Sequence, residues 1–335
     1  MAENTPAWSV HPWVTQRRGK IGFGVAWGQD AGATWSEFRD FVRLVEESGL
    51  DSYWAIDHPL GSVSGLDCWT ALTSLAATTK TLRLGSLVSC VYYRSPFLLA
   101  RLAADVDRIS GGRLILGVGI GDSAPEFRGM GLPFPPAAER QRALEETIDV
   151  VRGLWGPEPF SFAGEHFRVT DGTVRPPPMQ EPRVPVLIAG GGERVTLAQV
   201  ARHADLSNFG AHAAIGSAFG TEDIVRKCAV LRGHCEAVGR PYDSILRTHT
   251  TMPLFLAETP VALRAKLDAV PQGFRDFLAP STVAGTPDEA VAHYRSLVRA
   301  GMQYFIAFIY PKDAETVRLL AEQVVPRLAV SHEPN

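Results

Sequence analysis

Val184–Asp205, VPVLIAGGGERVTLAQVARHAD, reads as a strand, a glycine turn and a helix in direct succession. Val186–Ala189 is a short apolar run with turn residues on both sides, the pattern of a buried strand. Gly190, Gly191 and Gly192 follow without a break, and Val195, Leu197, Ala198, Val200 and Ala201 then recur at helical spacing. Glycines let backbone approach a ligand closely, and a helix start offers unpaired N–H groups at the positive end of its dipole. A phosphate fits this arrangement without a lysine, and so does a tight turn with no ligand. The rest of the chain decides between them.

The same succession repeats on both sides. Strand candidates at 20–26 (KIGFGVA), 51–56 (DSYWAI), 81–88 (TLRLGSLV) and 113–118 (RLILGV) precede it, and 205–209 (DLSNF), 245–256 and 303–309 (QYFIAFI) follow. Amphipathic helical stripes separate nearly all of them, with Gly49 and Gly111-Gly112 as stops and Thr286-Pro287-Asp288-Glu289 as a helix start. Such alternation means a parallel sheet with crossover helices. The predicted fold is α/β, a single (β/α)8 TIM barrel with its core at about 20–330, a fold that typically takes about 250 residues. Loop insertions are expected near 122–136, 155–183, 210–220 and 257–285. Within the second of these, FSFAGEHFRV at 160–169 alternates around Ala163-Gly164 and predicts a hairpin. An open doubly wound sheet is the alternative, but no G-x-G-x-x-G follows the first strand.

Composition narrows the function classes. The 335 residues are 45% hydrophobic and 21% charged, with a net charge of −3, which gives no reason to expect nucleic acid as a partner. No apolar run approaches the roughly 20 residues needed to span a bilayer, and none near the N-terminus has signal-peptide character. The four cysteines, Cys68, Cys90, Cys228 and Cys235, are scattered without C-x-x-C or paired-histidine context. Plain burial in a reduced, cytoplasmic protein with no metal is the expectation.

A barrel of this type carries its active site at the C-terminal ends of its strands. Those ends read Trp27, then Asp57-His58, Ser86-Leu87, Gly121-Asp122, Gly190–Gly192 and Asn208. No nucleophile elbow, Walker loop or His-Glu-x-x-His is present, so chemistry borrowed from a cofactor held by backbone is favoured over a protein nucleophile. His58 and Asp122 are the catalytic candidates. Each also has a plain structural reading, as a satisfied polar group and a loop cap. Among the other histidines, His212 and His249 are secondary pocket candidates, while His11, His166, His203 and His234 have weaker claims.

These residues resemble the bacterial luciferase-like superfamily, in particular its coenzyme F420-dependent branch. DSYWAIDH at 51–58, LRLGSLVSCVYYRSP at 82–96, ISGGRLILGVGIG at 109–121 with the downstream EFRGMGLPFPP, and the opening stretch carry the resemblance. It implies a flavin or deazaflavin at the strand C-termini, with a non-prolyl cis peptide, by position Ser86–Leu87, backing the ring. It implies His58 near the ring and substrate, and Asp122 where the branch's sugar-phosphate dehydrogenases carry a catalytic glutamate. Asp57, Ser86, Leu87, Gly190, Gly191, Gly192 and Asn208 are the implied cofactor contacts. The reading is an F420-dependent oxidoreductase moving a hydride between deazaflavin C5 and a small organic substrate. The alternatives are a two-component monooxygenase taking reduced FMN from a separate reductase, and a non-catalytic flavin-binding barrel. A homodimer is the candidate assembly. Ser62 stands where the dehydrogenases have a tryptophan, and Gly210 and Ala213 where they have a substrate-phosphate threonine and lysine. The departures point away from a sugar phosphate, and Trp27, Tyr92, Tyr93 and Phe209 suggest an apolar or aromatic pocket instead.

Overall fold

The computed structural model describes residues 9–27, 34–60, 65–210, 220–310 and 313–329. Its strands are β1 (Gly22–Trp27), β2 (Ser52–Ala55), β3 (Arg83–Ser86), β4 (Ser89–Cys90), β5 (Leu114–Gly119), β6 (Phe160–Ala163), β7 (Arg168–Gly172), β8 (Val186–Ala189), β9 (Leu206–Gly210), β10 (Leu246–Leu256), β11 (Val283–Gly285) and β12 (Tyr304–Ile309). The order β1-β2-β3-β5-β8-β9-β10-β12 closes on β1 with every pairing parallel, a closed eight-stranded barrel with helices around it. All eight predicted strands are present. β6 and β7 form the expected antiparallel hairpin. β4 continues the β3 side of the wall along β5, and β11 adds to the far end of β10.

Alternation along the strands divides the core in two. Outward residues such as Phe23, Val25, Leu116, Val118 and Phe305 pack under the helices. Inward residues such as Trp54, Ile115, Leu187, Leu206, Leu246, Tyr304 and Ile306 fill the barrel. Two of these are large, and the neighbouring strands make room with glycine. A Cβ on Gly85 would lie 2.1 Å from the Trp54 ring, and one on Gly22 would lie 2.4 Å from the Tyr304 ring. The two polar tips are tied together, since Trp54 Nε1 donates to Ser52 Oγ at 2.7 Å and that hydroxyl meets Tyr304 OH at 2.6 Å.

The N-terminal segment is part of the core, although the sequence reading began that core near residue 20. A short helix, Pro12–Gln16, closes the N-terminal end of the barrel. Trp13 sits 5.9 Å from the Tyr304 ring with Arg83 4.8 Å over its face. His11 caps this helix by accepting from Trp13 N–H at 3.1 Å. This helix therefore covers the N-terminal end of the barrel, and the candidate strand-end residues lie at the opposite end.

Helix starts follow the sequence. Thr286 caps a helix start, as the Thr-Pro-Asp-Glu run predicted, and the structure adds a capping box between Thr286 and Glu289 and another between Thr34 and Glu37. The four cysteines are buried and free. Among the described residues no helix is long and apolar enough to cross a membrane, and no group of three or more His, Cys, Asp or Glu is placed to hold a metal.

Candidate active site at the barrel mouth

His58 follows β2, and its Nδ1 lies 2.8 Å from Glu126 Oε2. Glu126 is brought there by a short helix, Ala124–Gly129, which starts where Ser123 accepts the Glu126 N–H. The glutamate is 4% exposed, and Tyr93 OH donates to the same Oε2 at 3.1 Å. Its other oxygen, Oε1, is buried and has no partner. Burial, with Cys90 and the Glu126 carboxyl nearby, pushes the Tyr93 phenol well above its ordinary range, so it stays a donor. A carboxylate accepting from Nδ1–H fixes the imidazole tautomer and leaves Nε2 as the nitrogen that can exchange a proton. The His58 ring stays open to the mouth, with 37% of its side chain exposed.

Asp122, the acid chosen from the sequence, is exposed on the approach to this helix. The carboxylate at His58 is Glu126, four residues on. Ser123-Ala-Pro-Glu126 is a helix-start pattern, with cap, proline in the first turn and acid at the third position. That signal identifies the helix, within a segment whose Gly and Pro content predicts a loop.

Asp57 points into the support of the site. Its carboxylate is held by Arg94 through Nη1 at 2.6 Å and Nη2 at 3.0 Å, and by Cys90 N–H at 3.3 Å. Arg94 also reaches Asp67 at 2.6 Å. Burial pushes the Asp57 carboxyl up, and the two charge-assisted bonds from Arg94 oppose that push. The pair fastens the end of β2 to the segment after β4, directly below His58.

Ser86 is fully buried, and its hydroxyl takes the place of a missing ladder bond. Oγ donates to Gly117 O at 2.7 Å and accepts from Gly117 N–H at 3.1 Å. The register explains why. Gly85 pairs with Ile115 and Ser89 with Val118, so the β3–β4 side carries an extra residue. The non-prolyl cis peptide is Leu87–Val88. The expected Ser86–Leu87 is corrected by one residue, because the ladder to β2 persists through Leu87 N–H, which donates to Ala55 O at 2.8 Å. Leu87 and Val88 pack with the barrel-interior cluster.

Across the mouth, Gly190 has φ 118°, a conformation open to glycine, and its N–H donates to Asn208 O at 2.8 Å. The chain then enters the helix Thr196–His203, whose cap, Val195, supplies no side-chain hydrogen bond. Lys227, 5% exposed, lies beneath this turn with Nζ 2.6 Å from Gly191 O and 3.6 Å from Glu193. The glycine turn thus combines an uncapped helix start with a nearby buried cation, and the residues fit a phosphate. Asn208 faces the barrel interior, with its amide donating to Thr248 Oγ1 at 2.8 Å and accepting from Thr250 Oγ1 at 3.1 Å.

The wall between is apolar. Trp27 meets Phe308 and Tyr310 edge-on at 6.2 and 5.6 Å, and Met252 and Ala189 pack with the same interior cluster. Of the aromatics chosen from sequence, Trp27 faces inward and Tyr93 reaches Glu126. Phe209 is buried on the helix side, since it alternates with inward Asn208, and Tyr92 packs against that outer core. Gly210 has no space for a side chain, as a Cβ there would lie 2.3 Å from Thr250 O. Ser62, His212 and Ala213 lie outside the described residues.

The sequence pattern of the family described as luciferase-like monooxygenase matches residues 20–314. An F420-dependent glucose-6-phosphate dehydrogenase of Kineococcus radiotolerans is 36% identical over 162 residues, 47% of this chain and 47% of its own. An FMNH2-dependent dimethylsulfone monooxygenase of Pseudomonas putida is 33% identical over 165 residues, 49% of this chain and 44% of its own. The chain thus spans about half the length of these curated relatives. Among solved structures, the coenzyme F420-dependent tetrahydromethanopterin reductase of Methanopyrus kandleri superposes with a TM-score of 0.76 at 19% identity, covering 92% of this chain and 99% of its own.

Proposed function

This chain belongs to the luciferase-like monooxygenase family, and from that membership we propose that it is an F420-dependent oxidoreductase acting on a small, uncharged organic substrate. One arrangement carries the reading: the His58–Glu126–Tyr93 cluster on one side of the mouth and the open glycine turn above Lys227 on the other. The bound deazaflavin would supply hydride chemistry at its C5 carbon. Gly190–Gly192 and the start of the following helix would hold its phosphate. Leu87 and Val88 would back the ring. Glu126 orients His58, and His58 Nε2 gives or takes the proton that accompanies hydride transfer. Trp27, Phe308 and Met252 would exclude water from the site. Gly210 offers no group to a substrate phosphate, which favours an uncharged substrate over a sugar phosphate. The second reading, a monooxygenase using reduced FMN from a separate reductase, draws on the similarity to the dimethylsulfone enzyme.

The Gly192→Val variant tests the phosphate site. Gly192 is exposed, and its Cβ would meet only Thr196, with the hydroxyl at 2.9 Å and the Thr196 Cβ at 3.5 Å. In a fluorescence titration, F420 affinity is expected to fall at least about tenfold, while the melting temperature moves by no more than about 2 °C. Unchanged F420 affinity would remove the glycine turn from the site.

A further inference from the structure

A cavity of about 360 Å³ lies outside the barrel wall, between β10, β11 and the helix Pro287–Arg299. His249, Thr251, Ser281, Val283, His293 and Leu297 are among its lining residues. It is separate from the mouth. His249 is on the outward face of β10, beside Phe305 at 6.5 Å, whereas the next residue, Thr250, turns its hydroxyl inward to Asn208.

Neither histidine has a role in the chemistry above, and neither is fully satisfied. His249 is 3% exposed and its Nδ1 has no hydrogen-bond partner; the same holds for Nε2 of His293. A buried polar atom without a partner costs about 1–3 kcal/mol, and both of the rings that carry one border this cavity. The lining says what kind. It contains no lysine or arginine, and its one acid, Glu289, is engaged by Thr286 N–H at 2.7 Å and by Thr286 Oγ1 at 3.0 Å. An anion would find no counter-charge. Burial drives the His249 pKa down to about 3 and lowers that of His293, so both rings are neutral and each presents one donor and one acceptor. With no third ligand placed for a metal among the described residues, the imidazoles act as hydrogen-bonding groups. Leu297, Val283, Ala290 and Pro280 supply apolar walls.

We propose that this cavity is a second binding site, for an uncharged, ring-sized molecule with an apolar body and one edge carrying both a donor and an acceptor, held between His249 and His293. The site does not depend on the cofactor or on the reaction at the mouth.

The probe is 2-pyridone, whose N–H and C=O stand side by side, with N-methyl-2-pyridone as the analogue lacking the donor. Full-length protein with ¹⁵N-labelled histidine is titrated and the imidazole nitrogens are followed by NMR. Saturable shifts at His249 and His293 are expected, with the N-methyl analogue binding at least about tenfold more weakly. His293→Leu, at a half-buried position, should weaken 2-pyridone binding by a similar factor. The analogue comparison needs no variant and stands even if His293→Leu fails to fold. Shifts confined to His58, equal binding of both pyridones, or no saturable response up to about 10 mM would overturn the proposal. So would zinc binding with both imidazoles as ligands.

Discussion

Replacing His58 by alanine is expected to lower turnover by two to four orders of magnitude, about the 10²–10⁴ that a positioned acid or base contributes. F420 affinity should stay within about threefold of the unmodified protein, because no phosphate contact is lost. The readout is the rate of F420 oxidation or reduction with an organic substrate that the unmodified protein turns over. Glu126→Gln keeps the shape of the side chain but removes the carboxylate that accepts from Nδ1–H at 2.8 Å. Its effect should be smaller, about tenfold to a hundredfold, as for other groups that orient a catalytic imidazole. An Asp122→Asn variant should be nearly silent, because Asp122 is exposed while Glu126 holds His58. Wild-type turnover in His58→Ala, with cofactor bound normally, would remove the histidine from the mechanism.

The second large effect is on folding. Arg94→Met leaves the Asp57 carboxylate, whose side chain is 0% exposed, with Cys90 N–H as its hydrogen-bond donor among the described residues. Breaking a buried pair by removing one partner costs about 3–5 kcal/mol, because a charge is left without compensation. Denaturant unfolding should show that loss. Removing both charges with Arg94→Met and Asp57→Leu should recover a large part of it, since a buried pair adds little beyond an apolar replacement of similar volume. A loss below about 1 kcal/mol in the single variant would mean that the pair behaves as a surface ion pair.

These two predictions also mark what the sequence discloses. The barrel was legible because strand and helix periods alternate along the whole chain, and capping residues such as Thr286 and Glu289 set the boundaries. The floor was not legible: Pro12–Gln16 is too short for a periodic signal, and only its packing on Tyr304 and Arg83 shows its role. At the mouth, strand alternation separates adjacent residues. Asp57 and His58 are neighbours in sequence, yet Asp57 goes to Arg94 and His58 to Glu126. Asn208 and Phe209 divide the same way, and applying the period-2 rule there would have sent Phe209 outward. The acid at His58 was hidden for a different reason. A Gly- and Pro-rich segment after a strand reads as loop, and the Ser123 cap within it determines which of Asp122 and Glu126 turns inward. The cis peptide was displaced by one residue because its position depends on where the β2–β3 ladder ends, which no local pattern encodes.

We propose that the mouth holds a deazaflavin whose phosphate rests on Gly190–Gly192. Native mass spectrometry of the purified protein, offered F420 and FMN together at equal concentration, tests it most directly. A complex with F420 that is lost in Gly192→Val is expected. A complex with FMN alone would contradict it.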